Sequence, residues 1–215
     1  MSPQIIPPSY VHHIFFFTKR LPAMSKFYKL VLGCEPFFEN ELYAWLTFDP
    51  QDHHRIALAQ APPHMADRAP EQDGFDHAGY QYRDPEELFA TYERLAALGI
   101  EPFWCTNHGG TMSFYYKDPD GNGLELQYDN YESMEELVAW MQGGDFAKNP
   151  VGVDVDPKRL AQAHRDGVSR LDLHLQSRSG GFLPEGMTME EPARPAPADP
   201  MAYMRSIHEA VEAAQ

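Results

Sequence analysis

Ser113-Phe114-Tyr115-Tyr116-Lys117-Asp118-Pro119-Asp120-Gly121-Asn122-Gly123-Leu124-Glu125-Leu126 reads as two strands joined by a tight connection. Residues 118–123 are dense in turn formers, so the chain reverses there between an aromatic-rich strand and a Leu-Glu-Leu strand. Strand side chains alternate between faces, which sends Leu124 and Leu126 into apolar packing and Glu125 the other way. An isolated ionised carboxylate is too costly to bury, so Glu125 must face something polar or charged.

Outward from this stretch, one order of signals occurs twice. His77 is followed by Leu88, Tyr92 and Leu95, then by Gly99-Ile100-Glu101-Pro102-Phe103. Sixty-four positions earlier His13 is followed by Met24, Tyr28 and Val31, then by Gly33-Cys34-Glu35-Pro36-Phe37. Each copy closes with Asp-Pro and a short apolar run: Asp49-Pro50 before Ile56-Ala57-Leu58, and Asp118-Pro119 before Leu124-Glu125-Leu126.

The first copy predicts a strand over 11–18, then a helix opened by Pro22, striped with Met24, Phe27, Tyr28 and Val31, and ended by Gly33. Strands over 35–39, 43–48 and 55–60 follow. The second copy predicts a strand over 75–83, then a helix announced by the cap, proline and acids of Asp84-Pro85-Glu86-Glu87. Its remaining strands fall over 101–105, 112–117 and 124–128. Both copies read β-α-β-β-β, joined by a polar, proline-bearing linker over 61–74.

The expected fold is therefore α+β: paired βαβββ modules, about residues 10–60 and 75–128, forming a cupped mixed sheet around a metal site in a domain spanning 1–130. Residues 131–215 form a helical and proline-rich C-terminal extension. In it, helices are expected over 134–141, ended by Gly143-Gly144, and over 157–165. A loose arm with five prolines follows over 180–200, then a terminal helix over 201–214 expected to pack on a second subunit.

Composition narrows the partners. The chain has 215 residues, 43% hydrophobic, with 32 acidic against 17 basic residues and a formal charge of −15. No basic stripe forms, so neither nucleic acid nor an anionic membrane is expected as a partner. No apolar run approaches the ~18 residues that span a bilayer. The opening Met1-Ser2-Pro3-Gln4 lacks the pattern of a signal peptide, and Cys34 and Cys105 read as buried small hydrophobes near the starts of corresponding strands. A reducing cytoplasm is the expected location.

The repeat selects a proposed metal triad. His13 and His77 stand at the same place in their opening strands, so their imidazoles can converge across a pseudo-twofold axis, with Glu125 on a closing strand. The position matching Glu125 in the first copy is Ala57, which cannot ligate. Two imidazoles and one carboxylate match the facial set that holds Fe(II) and leaves positions open; Mn(II) or another divalent metal is the alternative. His12, as His13's neighbour in a strand, is expected to face away, and His53 and His54 read as turn or strand-edge residues.

Residues 10–130 resemble the vicinal-oxygen-chelate superfamily, which includes glyoxalase I, the fosfomycin and bleomycin resistance proteins and the type I extradiol dioxygenases. The resemblance rests on His13 with Phe27-Tyr28 and Leu32-Gly33, on Phe75-Asp76-His77, and on the stretch from Ser113 to Leu126. It is most like the extradiol branch, whose ligand triad falls on His13, His77 and Glu125. It implies an enzyme that binds a small aromatic diol and dioxygen at Fe(II) and cleaves the ring beside the diol. It further implies Tyr115, ten residues before Glu125, as a hydrogen-bonding partner of the substrate, and His108 as a histidine beside the pocket. The family's acid–base histidine falls on His108 or, upstream of His77, on His64, which reads equally as an exposed loop residue. Other members leave alternatives: a lyase, isomerase or conjugating enzyme using another divalent metal, or a non-catalytic binding or resistance protein. A homodimer or higher homo-oligomer is also expected.

Overall fold

The computed structural model describes residues 5–66, 74–189 and 199–214. The chain divides into two compact units, residues 1–69 and 70–215. Each contains a β-α-β-β-β module.

The first unit runs β1 (Ile14–Thr18), α1 (Leu21–Leu32), β2 (Glu35–Glu39), β3 (Tyr43–Thr47) and β4 (Ile56–Gln60). Its sheet has the order β1-β4-β3-β2, with β1 and β4 parallel and Ile14 opposite Ile56. The expected proline lies in the first turn of α1, and Gly33, at φ +65°, ends the helix in a left-handed cap. The stripe Met24, Phe27, Tyr28 and Val31 is buried, as are Ala44, Leu46, Ile56 and Leu58 of the sheet. Each such large side chain taken out of water contributes about 1.5–3 kcal/mol before chain entropy is set against it.

The second unit begins β5 (His77–Gln81), α2 (Pro85–Ala97), β6 (Trp104–Asn107), β7 (Thr111–Lys117) and β8 (Gly123–Asp129). Asp84 caps α2 by accepting from the Glu87 amide at 3.1 Å. The connection between β7 and β8 closes on Asp118, whose Oδ1 accepts from the amides of Asp120 and Asn122 at 3.0 and 2.8 Å. Gly121 takes φ +85° there, a conformation that favours glycine.

The C-terminal region continues with α3 (Met134–Gln142), α4 (Asp145–Lys148), β9 (Val153–Asp154), α5 (Pro157–Arg165), α6 (Arg170–Arg178) and α7 (Pro200–Ala213). β9 adds to β6, giving a five-stranded sheet in the order β5-β8-β7-β6-β9. The expected helices over 134–141 and 157–165 are present as α3 and α5, whereas α4, β9 and α6 were not anticipated. The expected terminal helix is present as α7. It docks on its own chain: Ile207 and Val211 are fully buried, and the Tyr203 hydroxyl donates to the Glu101 carbonyl at 2.6 Å. Part of the linker (67–73) and part of the proline-rich arm (190–198) lie outside the described residues.

Candidate metal centre

In the second unit the register sets one row of side chains across four strands. Gly79 of β5 stands opposite Glu125 of β8, Glu125 opposite Tyr115 of β7, and Tyr115 opposite Trp104 of β6. Leu124, Leu126, Phe114 and Tyr116 occupy the other face and are buried, with Phe89 and Tyr92 of α2 against Phe114. Of the aromatics near the closing strands, Tyr115 and Trp104 therefore share the face of Glu125, stacked with centroids 4.6 Å apart.

His77 stands at the start of β5, two residues before Gly79 and opposite Gly123. Its Nε2 lies 3.2 Å from Glu125 Oε2, while its Nδ1 meets Asp76 Oδ2 at 2.6 Å. The carboxylate on Nδ1 fixes the ring and leaves Nε2 as the atom offered to Glu125. Two glycines make room. A Cβ at Gly123 would stand 2.5 Å from the Asp76 carbonyl and 2.8 Å from His77 Cβ, and one at Gly79 would touch Glu125 Oε2.

Glu125 is 9% exposed, and its other oxygen is held from above. Tyr115 donates its hydroxyl to Glu125 Oε1 at 2.8 Å, and His108 Nε2 lies 2.8 Å from the same hydroxyl. Burial and the adjoining Glu125 carboxylate push the Tyr115 phenol well above its usual range, so it stays protonated. Burial holds His108 below the ordinary imidazole value, against the opposing pulls of the Val151 carbonyl and Glu125.

The C-terminal region steadies this cluster. The Val151 carbonyl takes a hydrogen bond from His108 Nδ1, which turns Nε2 toward Tyr115. Next to His108, the buried Asn107 bonds through Nδ2 to the His174 carbonyl at 3.1 Å, and Tyr131 holds the far side of His174 at 3.0 Å. Gly109, at φ +92°, lies directly under the Trp140 ring, which would overlap any Cβ there.

The first unit holds a different assembly. His12, His13 and His54 place ligand atoms within 4.8 Å of one another, with His12 Nδ1 and His13 Nδ1 3.0 Å apart. His12 therefore does not face away from His13. β1 begins only at Ile14, so the alternation of a strand does not reach the two histidines. His53 and His54 lie in the turn ahead of β4, as expected. His64 is exposed in a turn closed by the Met65 amide and the Pro62 carbonyl.

Of the six residues singled out from sequence, His77, Glu125, Tyr115 and His108 are brought together; His13 and His64 belong to the other unit. Asp76 and the Val151 carbonyl were missed. Asp76 stood in plain view beside His77, but the carbonyl had no sequence signal at all. Residues 10–126 match the family model of the Glyoxalase/Bleomycin resistance protein/Dioxygenase superfamily.

The chain belongs to that superfamily.

Two curated relatives come from Rhodococcus globerulus. One, "Biphenyl-2,3-diol 1,2-dioxygenase 2", is 40% identical over 164 residues, covering 75% of this chain and 86% of its own. The other, "Biphenyl-2,3-diol 1,2-dioxygenase 3", is 37% identical over 162 residues, covering 75% and 85%. A solved lactoylglutathione lyase from Agrobacterium tumefaciens is 22% identical, with a TM-score of 0.46 over 57% of this chain and 96% of that one.

The superfamily implies a divalent metal, and the donors present suit one. Bonds of about 2.1 Å set at right angles put two donors about 3 Å apart. The 3.2 Å between His77 Nε2 and Glu125 Oε2 matches that separation. One neutral nitrogen and one carboxylate oxygen, with Asp76 steadying the imidazole, form part of a site that tolerates open positions.

Proposed function

We propose that this chain is a non-haem Fe(II)-dependent extradiol dioxygenase that cleaves a catecholic aromatic ring, with His13, His77 and Glu125 as its metal ligands. The observation that carries the reading is the cluster in which Glu125 meets His77 through one oxygen and Tyr115 through the other. The 40% and 37% identity to the two diol dioxygenases supports ring cleavage as the reaction and an aromatic diol as the substrate. In this reading residues 1–130 carry the chemistry and residues 131–215 support it.

Bound Fe(II) would supply adjacent open positions for a chelating diol and dioxygen, and charge stabilisation for both. The protein does the rest. Tyr115, held neutral, offers a hydroxyl to orient a diol oxygen. His108, held largely neutral at pH 7 by burial, takes the diol proton through Nε2 and returns it later in the cycle. His64 is the upstream residue proposed for a share in that acid–base work. Trp104 and Tyr115 present an apolar wall to the ring. The carbon–carbon bond beside the diol breaks, both oxygen atoms enter the product, and no external reductant is consumed.

Among the described residues no helix is long and apolar enough to cross a membrane. The buried thiols of Cys34 and Cys105 are both free, which supports a reducing cytoplasm as the location. The test is oxygen uptake by anaerobically Fe(II)-loaded protein against a panel of catechols including biphenyl-2,3-diol. The reading predicts uptake matched to diol consumed and a yellow ring-opened product. Iron-loaded, folded protein that takes up no oxygen with any of them would end it.

A further inference from the structure

We propose that His12, His13 and His54 form a second metal site, complete within the first unit, for a late first-row divalent cation such as Cu(II), Zn(II) or Ni(II). The sequence carries two His-His pairs, His12-His13 and His53-His54, and the parallel pairing of β1 with β4 brings them together. Ile14 stands opposite Ile56, and the Ile14 amide donates to the Arg55 carbonyl at 3.0 Å, so the residues just ahead of each strand become neighbours.

The geometry is that of a chelate. His12 Nδ1 and His13 Nδ1 are 3.0 Å apart, the spacing of two donors at right angles on one ion with bonds of about 2.1 Å. The His54 ring lies 4.6 Å from His13 and 5.1 Å from His12 between centroids, and His53 is a fourth imidazole, 4.7 Å from His12. The surroundings hold the rings in place. Trp45 stacks on His54 at 5.5 Å, and Asp52 Oδ1 approaches His12 Nε2 at 3.5 Å while its other oxygen pairs with Arg55. A carboxylate behind a ligating histidine is the usual support of such a site.

The donor set decides the class of ion. All three ligands are neutral nitrogens, with no carboxylate or thiolate among them. Imidazole sites bind copper, nickel and zinc in preference to Fe(II), as the stability order of these ions dictates. His13 is also the third iron ligand of the proposed function. On that reading alone, filling the imidazole site withdraws His13 from iron, and late transition metals inhibit the enzyme by occupying a built site.

The experiment uses metal-stripped full-length protein titrated with Cu(II), read by electron paramagnetic resonance, with Zn(II) affinity read by calorimetry. The background is H77A/E125A, which removes the other donor cluster. It should bind copper with hyperfine structure from at least three imidazole nitrogens. Adding H12Q/H54Q should weaken Cu(II) and Zn(II) more than about 100-fold, beyond the loss seen for supporting residues. H64Q, in an exposed turn, should leave Cu(II) and Zn(II) affinity as it is in H77A/E125A. Absence of imidazole-bound copper in H77A/E125A, indifference to H12Q/H54Q, or an equal loss in H64Q would each overturn the site. Should H77A/E125A not fold, H12Q/H54Q in the otherwise unaltered protein decides the question through the loss or survival of its imidazole copper signal. Oxygen uptake by the iron-loaded protein without added copper is scored separately, so failure of the dioxygenase reading cannot be mistaken for failure of this one.

Discussion

Across β1, β4, β3 and β2 the first module presents Phe15, Ala57, Trp45 and Phe38; across β5, β8, β7 and β6 the second presents Gly79, Glu125, Tyr115 and Trp104. The scaffold is the same and the sheet positions correspond, apart from a bulge between Pro36 and Phe38 in the pairing of β2 with β3. In one row an aromatic ring and a methyl group stand where the other has a bare backbone and a carboxylate. The second row differs in that Gly79 leaves space for Glu125, Tyr115 rather than an indole supplies a hydroxyl, and the C-terminal region adds Val151 and His174 behind it. The lesson is that duplication supplies two equivalent cradles, in which a few substitutions set different side chains side by side.

The largest effect should come from copying the first module into the second. Gly79→Phe puts a side chain where a bare Cβ already meets Glu125 Oε2 at 3.4 Å. Diol-dependent oxygen uptake should fall more than about 1000-fold, since misplacing a reacting group by an ångström alone costs about 100-fold. A smaller break is Tyr115→Phe, which keeps the ring stacked on Trp104 and deletes the hydroxyl. kcat should drop about 100-fold, the lower end for a lost proton-handling or hydrogen-bonding group, with little change in melting temperature. Unchanged kcat would remove Tyr115 from the reaction.

Asp76→Asn tests the support behind His77. Iron affinity measured by competition with a chelator should weaken about 10–100-fold. The smallest effect concerns the buttress that the first module lacks. Burial and the nearby Arg178 hold His174 down to about 4, from an ordinary 6.5. The unfolded chain therefore binds more protons between those values, so stability falls as pH drops from 6.5 toward 4 and is flat above. The share from this residue is at most about 3 kcal/mol, and urea midpoints at pH 7 and pH 5 should differ less in His174→Asn than in the parent.

Much of this comparison could be read in advance, because it is carried by local or repeating signals. The Gly33 cap, the Asp84-Pro85 helix start and the 118–123 turn each depend on residues within one turn of chain. The equivalence of Ala57 with Glu125 follows from the repeat, and the observed registers, Phe15 to Ala57 and Gly79 to Glu125, agree with it. The imidazole cluster was not legible. It depends on β1 starting one residue after His13, and on which strand pairs with it, neither of which alternation reveals. α6 was missed for a related reason: in Arg170–Arg178, Leu171, Leu173 and Leu175 alternate as in a strand, yet Leu173, His174 and Ser177 are the buried side of a helix. Ser169 caps that helix by accepting from the Asp172 amide.

The most direct test of the division between modules is the iron content of Glu125→Ala, measured after anaerobic loading and desalting, with circular dichroism to establish that the protein is folded. The account predicts stoichiometric Fe(II) in the parent chain and its loss in the variant. Iron retained at the parental level by folded Glu125→Ala would contradict it, because the acid that distinguishes the two rows would then hold no metal.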